Sequence, residues 1–338
     1  KTGADQYGSK FPVLLRAYDD FRPAVYVYFT IPFIAIFGLD TTSIRLPSAI
    51  LSVLSILAVF FLVKLITKGA KSVVIKNVEI NIPIIATLFL AISPWHIYIS
   101  RLGHEVNASF SFLIFGLLFF FRFLDRGKWN LPISALFFGL SFDSYQTTKI
   151  VAPLILLVLL TLYFKRLIKE KTTVFISMLI GLLIILPIII SSFDENALIR
   201  FKGTSLLGNS ETYFQNTAKR FADDKREGDL LGIIFDNRKV ASGLLITQAY
   251  ISHFDPVWIF LNKGEESFKA PTIGLLYLFE LPLIFVSLLF LTRSGVSSKN
   301  IIFILAWGAL AVAPASLTTG FPHAMRALNI FPVPQILG

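Results

Sequence analysis

Cysteine is absent from the 338 residues, which excludes disulfide bridges and thiolate metal sites. Charge is scarce as well, because only 15% of the residues are charged, whereas soluble domains carry about a quarter. Long apolar runs take up much of the sequence, and 55% of the residues are hydrophobic. This composition is typical of a protein embedded in a membrane.

Hydrophobic runs that could cross a bilayer recur along the whole chain. A hydrocarbon core of about 30 Å requires roughly 20 apolar residues in a helix. The candidate spans are Leu46–Leu65, Ile80–Ile99, Val106–Phe123, Leu131–Phe142, Ile150–Phe164, Val174–Ser191, Thr272–Leu291 and Ile301–Leu317. Together they predict an all-α, polytopic membrane helix bundle, and their repetition excludes a cleaved signal peptide as the explanation.

The net charge of +10 is distributed unevenly between the two sides of this predicted bundle. If residues 1–45 lie outside and the spans alternate, the loops facing the cytoplasm hold 13 basic residues. The short outer loops hold only Arg101, Lys149 and Arg326. This positive-inside pattern orients the chain against an anionic inner leaflet. It predicts a multi-pass protein of the cytoplasmic membrane, in contact with lipid and without a surface for nucleic acid.

Shifts in composition divide the chain into four predicted parts. Residues 1–45 form a first extracytoplasmic loop, whose apolar stretch Pro23–Phe37 is too short to span and indicates an interfacial helix. Residues 46–192 form an N-terminal transmembrane bundle. Residues 193–271 form a long extracytoplasmic loop that includes an amphipathic piece at the membrane surface, and 272–338 contain further transmembrane helices.

Polar side chains collect at the outer ends of the predicted spans. The stretch "SPWHIYISRLGHEVNASF" places Arg101, His104 and Glu105 within five residues, between two apolar runs. Ionisable groups at membrane depth are costly unless they pair or face a wet cavity, so their collection on one face indicates a shared cavity. Simpler interpretations stay open: Arg101 and Glu105 could form a helix-end pair, and Asp143 and Lys149 could bridge a short hairpin.

Five motifs follow one another along the chain. They are "YDDFRPAVYVYF" with the later "FGL" and "RLPS", "ISPWHIYISRLGHEVN", "SYQTTKIVAPL", "YISHFDPVWIFLNKG" and "PHAMRALNIFP". In this order they resemble the motifs of bacterial GT-C glycosyltransferases of the dolichyl-phosphate-mannose-protein mannosyltransferase-like family (glycosyltransferase family 39), relatives of the lipid A aminoarabinose transferase. Arg22 stands where that family has a lysine before two prolines, and Ala24 replaces the second proline. Arginine keeps the charge and adds a forked donor for phosphate.

The resemblance implies a GT-C-like bundle with extracytoplasmic interfacial helices. It implies a hexosyl- or pentosyltransferase that takes a sugar from a polyprenyl-phosphate carrier and passes it, with inversion, to a protein, lipid or cell-envelope glycan outside the membrane. Cations near the carrier phosphate would stabilise the leaving group, while a carboxylate acts on the acceptor. The implied catalytic acids are Asp20 and Glu105. The implied substrate- and phosphate-binding residues are Arg22, Arg101, His104, Tyr145, Gln146, Lys149, His323 and Arg326.

The resemblance also bears on metal binding and on the ends of the chain. Relatives can hold a divalent metal ion near the carrier phosphate, and Asp20 with His253 could supply ligands to such an ion. We further expect this chain to be a fragment that lacks the family's first span and its C-terminal end. The main catalytic acid of the family would then lie upstream of residue 1.

Two other classes of membrane protein stay open. A transporter or lipid flippase would place ionisable groups at mid-membrane, often beside broken helices in paired repeats. Glu280 is the notable charge near the centre of a predicted span, but no internal repeat is visible. A non-catalytic membrane scaffold would not need five polar motifs on one face.

Overall fold

The computed structural model describes residues 3–5, 7–17, 20–70, 73–75, 78–191, 203–261 and 268–338. Within these ranges the chain is mainly helical, which confirms the predicted all-α bundle. The strands are confined to two hairpins, which pair β1 (Leu14–Ala17) with β2 (Asp20–Pro23) and β3 (Val73–Ile75) with β4 (Val78–Ile80). The first hairpin is antiparallel and sets Leu15 opposite Arg22.

Sixteen helices of four residues or more follow in the described part of the chain. They are α1 (Val25–Phe37), α2 (Thr41–Ile66), α3 (Ile82–Ile92), α4 (Pro94–Ser100), α5 (Glu105–Asp125), α6 (Asn130–Ser144), α7 (Thr148–Leu167), α8 (Lys171–Ser191), α9 (Glu211–Glu227), α10 (Leu230–Phe235), α11 (Arg238–Ser252), α12 (Pro256–Phe260), α13 (Glu280–Phe290), α14 (Ser298–Ser316), α15 (Ala324–Ala327) and α16 (Val333–Leu337). With its 13 residues α1 is shorter than a span, which agrees with the predicted interfacial helix.

Four helical stretches among the described residues are long and apolar enough to cross a membrane. They are α2, α5, α14 and the run of α7 and α8, and a bent pair would make a fifth. That run covers 44 residues, with non-helical dihedral angles at Tyr163 and a 3₁₀ turn at Ile168–Glu170. Because α7 packs against α14 while α8 packs against α6, its two halves lie against different neighbours.

The bent pair occupies the predicted span Ile80–Ile99. Helices α3 and α4 meet there at an angle of 57°. Pro94 explains the break, because a proline disfavours helical geometry in the residue before it, and Ser93 has φ −57° and ψ 125°. Peptide groups at the break are satisfied by another segment: the N–H of Trp95 donates to the carbonyl of Leu275 over 3.1 Å.

Helix α5 is at the centre of the bundle and packs on α2 and α6. In its most apolar stretch of 18 residues, 83% of the residues are buried. Small polar side chains allow this close approach. The Nδ2 atom of Asn107 lies 2.9 Å from both Ser48 Oγ and Ser52 Oγ on α2. Interfaces between membrane helices favour such small residues and hydrogen bonds, because lipid supplies no hydrophobic force to bring helices together.

Between α8 and α13, the described residues include the helices α9 to α12, of which α11 packs along the bundle. The hydroxyl of Tyr250 on α11 donates to the carbonyl of Ala309 in the middle of α14, over 3.0 Å. Helix α9 instead packs on α10 and α11. The amphipathic stretch that the sequence places at the membrane surface therefore lies against a spanning helix.

The predicted span Thr272–Leu291 is helical only over α13. The preceding segment, 272–279, runs without a regular helix and is held by neighbouring backbone: the N–H of Leu276 donates to the carbonyl of Ile259 over 3.0 Å. Gly274 permits this approach, since a Cβ atom there would lie 2.5 Å from the backbone carbonyl of Phe260. Irregular backbone at membrane depth is tolerated where protein buries it in this way.

Replacing Gly274 with alanine should lower the free energy of unfolding by about 2–3 kcal/mol, because the added methyl group meets backbone atoms that cannot rotate away. Thermal unfolding in detergent measures this effect. Gly243 on α11 is the matched control, because nothing lies within 4 Å of a Cβ atom built there. Gly243→Ala should leave stability unchanged or raise it by up to about 1 kcal/mol. Equal stability of the two variants would contradict the packing described for Gly274.

The C-terminal part of the chain packs against α4 and α14. The indole N–H of Trp95 donates to the carbonyl of Ala324 over 3.1 Å, and that of Trp307 donates to the carbonyl of Asn329 over 2.8 Å. These two bonds fix α15 and the 3₁₀ turn Leu328–Ile330 against α4 and α14. Arg326 is thereby placed beside the segment that follows the C-terminal end of α14.

Candidate active site

An open cleft of about 240 Å³ lies where the α6–α7 connection meets the segment after α14. It is lined by Tyr145, Gln146, Thr147, Lys149, Ile150, Thr204, Ser205, Pro314, Leu317, Thr318 and Arg326. Four of the predicted substrate-binding residues are in this lining, although about 180 positions separate the first of them from the last. The structure thus brings Tyr145, Gln146, Lys149 and Arg326 to one surface.

One wall of the cleft is the short connection from α6 to α7. Tyr145 ends α6 with an extended backbone, at φ −151° and ψ 148°, so that the chain turns before α7 begins. Thr148 fixes this turn, because its hydroxyl lies 2.7 Å from Ser109 Oγ on α5 and donates to the carbonyl of Tyr145 or Ser141. The backbone of Gln146, in the α6–α7 connection, and that of Lys149, in the first turn of α7, are therefore fixed beside the cleft.

Another part of the lining is an isolated β-bridge. Ser205 bridges Thr318 in antiparallel fashion. The N–H of Leu206 donates to the carbonyl of Leu317, and the N–H of Thr319 donates to that of Thr204, each over 2.9 Å. The hydroxyls of Ser205 and Thr318 are thus kept in the lining, and these are two residues that the sequence reasoning missed.

Arg326 reaches the cleft with a fixed guanidinium group. Its Nη1 atom donates to Thr318 Oγ1 over 2.6 Å and to the carbonyl of Thr319 over 2.7 Å. Together with Lys149 it gives the lining two cations among the described residues, none of which in this lining is a carboxylate. Ammonium and guanidinium groups with hydroxyl neighbours favour an anion, phosphate in particular.

A second polar group lies at the start of α5. Arg22 Nη1 is 4.0 Å from Glu105 Oε1, and Glu105 Oε2 is 3.2 Å from His104 Nδ1. The same Nδ1 atom accepts the N–H of Val106 over 3.2 Å and so caps α5. The contact between His104 and Glu105 is an ion pair only when the imidazole is protonated. Glu105 is 8% exposed, whereas Arg22 faces solvent.

The two groups are neighbours. The rings of His104 and Tyr145 lie 5.9 Å apart, edge to face, and Tyr145 lines the cleft. A continuous series of side chains therefore leads from Arg22 through Glu105 and His104 to the cleft. Arg22 and six other predicted residues thus lie in this series or in the cleft: His104, Glu105, Tyr145, Gln146, Lys149 and Arg326.

The remaining predicted residues are placed differently. The side chain of Arg101 is exposed at the end of α4, and the side chain of Asp20 lies outside the described part of the structure. Both ring nitrogens of His253 are engaged: Nδ1 bonds the carbonyl of Ala249 over 2.7 Å, and Nε2 accepts the N–H of His323 over 3.3 Å. No group of three or more His, Asp or Glu side chains suited to a metal occurs within the described ranges. The pairing of Asp20 with His253 at a metal ion stays a prediction.

The two histidines behind the cleft are kept uncharged by their surroundings. Burial lowers the pKa of His323 to about 4, and the neighbouring Arg326 and His253 contribute to the same shift. Burial also lowers the pKa of His253, against the opposing effect of its bond to the Ala249 carbonyl. Both imidazoles are therefore neutral at pH 7, and the positive charge at the cleft is that of Lys149 and Arg326.

Asp143 is a buried carboxyl group near Lys149, and the sequence did not single it out as a site residue. It is 6% exposed, its Oδ1 atom has no hydrogen-bond partner among the described residues, and it lies close enough to Lys149 for the two charges to attract. In the sequence it is one member of a short hairpin with Lys149. A carboxyl group just before Tyr-Gln, at the outer end of a span, is the signal that could have identified it.

Comparison with known proteins gives one family and a set of similar structures. The model of the family described as dolichyl-phosphate-mannose-protein mannosyltransferase matches residues 22–190, which is half of the chain. This match includes Arg22, Glu105, Tyr145 and Lys149, whereas Arg326 lies outside it. No curated protein matches.

Solved structures similar to this chain include an archaeal oligosaccharyltransferase and a bacterial ArnT. The oligosaccharyltransferase of Archaeoglobus fulgidus tethered to an acceptor peptide with an NVT sequon is 17% identical; the match covers 95% of this chain and 41% of that one, with a TM-score of 0.50. AglB of the same organism, with an inhibitory peptide and dolichol-phosphate, is 17% identical; the match covers 93% of this chain and 41% of that one, with a TM-score of 0.49. ArnT of Cupriavidus metallidurans bound to undecaprenyl phosphate is 12% identical; the match covers 96% of this chain and 68% of that one, with a TM-score of 0.45. This chain spans about two fifths of the archaeal enzyme, and the first likeness supports a GT-C fold.

Proposed function

Because the chain belongs to the dolichyl-phosphate-mannose-protein mannosyltransferase family, we propose that it is a membrane glycosyltransferase that uses a sugar linked to polyprenyl phosphate. The acceptor is a protein, a lipid or a cell-envelope glycan, and the sugar is a hexose or a pentose. The observation that carries the proposal is the cleft in which Lys149 and Arg326 face the same space beside Tyr145 and Gln146.

Two cations suit the departure of a lipid phosphate. When the acceptor attacks the anomeric carbon, the bond to the carrier oxygen breaks and negative charge grows on the phosphate. Donors held in place before the reaction stabilise that charge without having to reorganise. The guanidinium of Arg326 meets this requirement because Thr318 and Thr319 hold it, and Lys149 lies in the first turn of α7, whose start is bonded to α5. Arg22 supplies a third cation from the first hairpin, at the other end of the polar series.

The carboxylates have a separate role. Glu105 lies beside Arg22 and His104, where it can hold or deprotonate the acceptor, and Asp20 occupies the same strand as Arg22. Tyr145 and Gln146 can donate to sugar hydroxyls or to the phosphate. A direct attack of this kind inverts the configuration of the transferred sugar. The positive-inside charge distribution supports a site at the outer face of the cytoplasmic membrane.

A transporter or lipid flippase is the second candidate. Two interrupted spans favour it, because the break at Ser93 contacts the irregular segment 272–279, and Glu280 at the start of α13 is fully buried. Interrupted helices that meet near a buried acid are typical of transport sites. The two candidates differ in what happens to the donor, since a transferase cleaves it and a flippase leaves it intact.

The full-length protein in liposomes, supplied with polyprenyl phosphate carrying a radiolabelled sugar, tests this difference. A transferase should transfer the label to an acceptor and leave free polyprenyl phosphate. A fraction of cell envelope serves as the source of acceptor. Movement of intact donor across the bilayer without loss of its sugar would overturn the transferase and favour the second candidate.

A further inference from the structure

We propose that His253 is a positioning residue for Arg326, acting through the backbone N–H of His323. The proposal rests on the function proposed above, because it concerns the cation that faces the lipid phosphate. His253 lies at the end of α11, whereas Arg326 is on α15, about 70 positions further along the chain. His253 itself is 2% exposed and is not part of the cleft lining.

The hydrogen bonds of His253 specify one tautomer. Nδ1 lies 2.7 Å from the carbonyl of Ala249, which can only accept, so Nδ1 carries the proton. Nε2 is then the acceptor for the N–H of His323, at 3.3 Å. The imidazole ring thus connects the last turn of α11 with the segment before α15, and the edge-to-face contact with Trp258, 5.7 Å between centroids, orients the ring.

His323 passes this restraint on to Arg326. Its ring stacks on Phe268, with the centroids 5.4 Å apart and the planes inclined by 23°. Its Nδ1 atom caps α15 by accepting the N–H of Arg326, a long bond of 3.5 Å. His323 therefore positions the backbone of Arg326, while Thr318 and Thr319 position its guanidinium group.

The N–H of His323 donates to Nε2 of His253 inside the protein, where the imidazole is buried. A buried N–H that loses its acceptor carries the full cost of desolvation, so the segment would shift to find another partner. A displacement of about 1 Å at a catalytic group can cost a hundredfold in rate. Loss of the Nε2 acceptor should therefore lower the rate of transfer by displacing Arg326, even though His253 does not line the cleft.

Two substitutions separate the two bonds of His253. Glutamine places an acceptor near the position of Nε2 and loses the contact with Ala249, while asparagine places a donor near Nδ1 and loses the contact with His323. We expect His253→Asn to lower kcat/KM for the polyprenyl-phosphate-linked sugar by about tenfold to a hundredfold. His253→Gln should stay close to the wild-type kcat/KM. A structural role alone would make the two variants equally defective.

Hydrogen exchange provides a readout that does not depend on the activity. Peptides covering residues 319–327 should exchange faster in His253→Asn than in His253→Gln or the wild type. Equal exchange in all three proteins would overturn the positioning role, whatever the enzyme assay gives. Binding of polyprenyl phosphate alone to the wild type and to Arg326→Ala tests the proposed function separately, because its failure would remove the donor site but not the effect on exchange.

Discussion

Replacing Lys149 or Arg326 with alanine should lower kcat/KM for the polyprenyl-phosphate-linked sugar by about 10²- to 10³-fold, the cost typical of losing one preorganised donor to a developing anion. Both cations line the same cleft, and Arg326 is restrained by two hydrogen bonds of 2.6 and 2.7 Å. Arg326→Ala loses the hydrogen bonds to Thr318 and Thr319, and Lys149→Ala removes the positive charge near the buried Asp143, so insertion and thermal stability are measured beside the activity. Release of labelled polyprenyl phosphate under donor-limiting conditions is the measurement.

Lys169→Ala is the matched control for this prediction. Lys169 is an exposed lysine of the 3₁₀ turn after α7, at the opposite end of that helix from Lys149. It removes the same charge from the chain without touching the cleft, so its kcat/KM should equal that of the wild type. Lys149→Arg, which keeps the charge, should retain more activity than Lys149→Ala. Wild-type kcat/KM in either alanine variant would remove that residue from the phosphate site.

Replacing Arg22 with alanine should abolish measurable transfer, because it deletes the cation at the other end of the polar series. Arg22 lies 4.0 Å from Glu105, so the variant also leaves that carboxylate without its positive neighbour. The loss of one charge-stabilising group predicts at least about a hundredfold decrease in kcat/KM. Arg22→Lys should recover part of the activity, because it keeps the charge but not the forked pair of donors. The assay is the same release of lipid phosphate.

Arg16 is the control for this second prediction. It lies on the partner strand of the same hairpin, opposite Phe21, and its guanidinium stacks over the ring of Tyr7 at 5.2 Å. Arg16→Ala removes the same side chain from the same element without removing the contact to Glu105. Insertion and thermal stability should be similar for the two alanine variants, and only Arg22→Ala should lose activity. Full activity of Arg22→Ala would exclude Arg22 from the phosphate role.

Much of the fold could be predicted from the sequence, because hydrophobic length is a local property. The runs around Leu46–Leu65 and Val106–Phe123 are the helices α2 and α5 within a few residues. The break at Pro94 is an equally local feature, and it bends one predicted span into two helices. The irregular segment 272–279 could not be foreseen, since its backbone is satisfied by Leu276 bonding Ile259, a contact made in space rather than along the chain.

The candidate site was predictable as a set of residue types. Motif resemblance singled out Tyr145, Gln146, Lys149 and Arg326, and the structure gathers these four in one cleft. The sequence could not show that His253 and His323 differ from these four residues, because their ring nitrogens bond to backbone groups behind the cleft. Nor could it identify Ser205 and Thr318, because hydroxyl residues occur everywhere in such a chain and acquire meaning only from the bridge between them.

By itself, the sequence determined that this chain is a helical membrane protein with its basic residues mostly on one side. Spans and charge bias follow from the transfer of single residues between water and lipid, and that transfer depends little on distant neighbours. Only the tertiary structure decided which polar side chains share a cleft and which serve as hydrogen-bond supports behind it. That outcome depends on how helices pack and where irregular segments cross, which are properties of contacts between residues far apart in the chain.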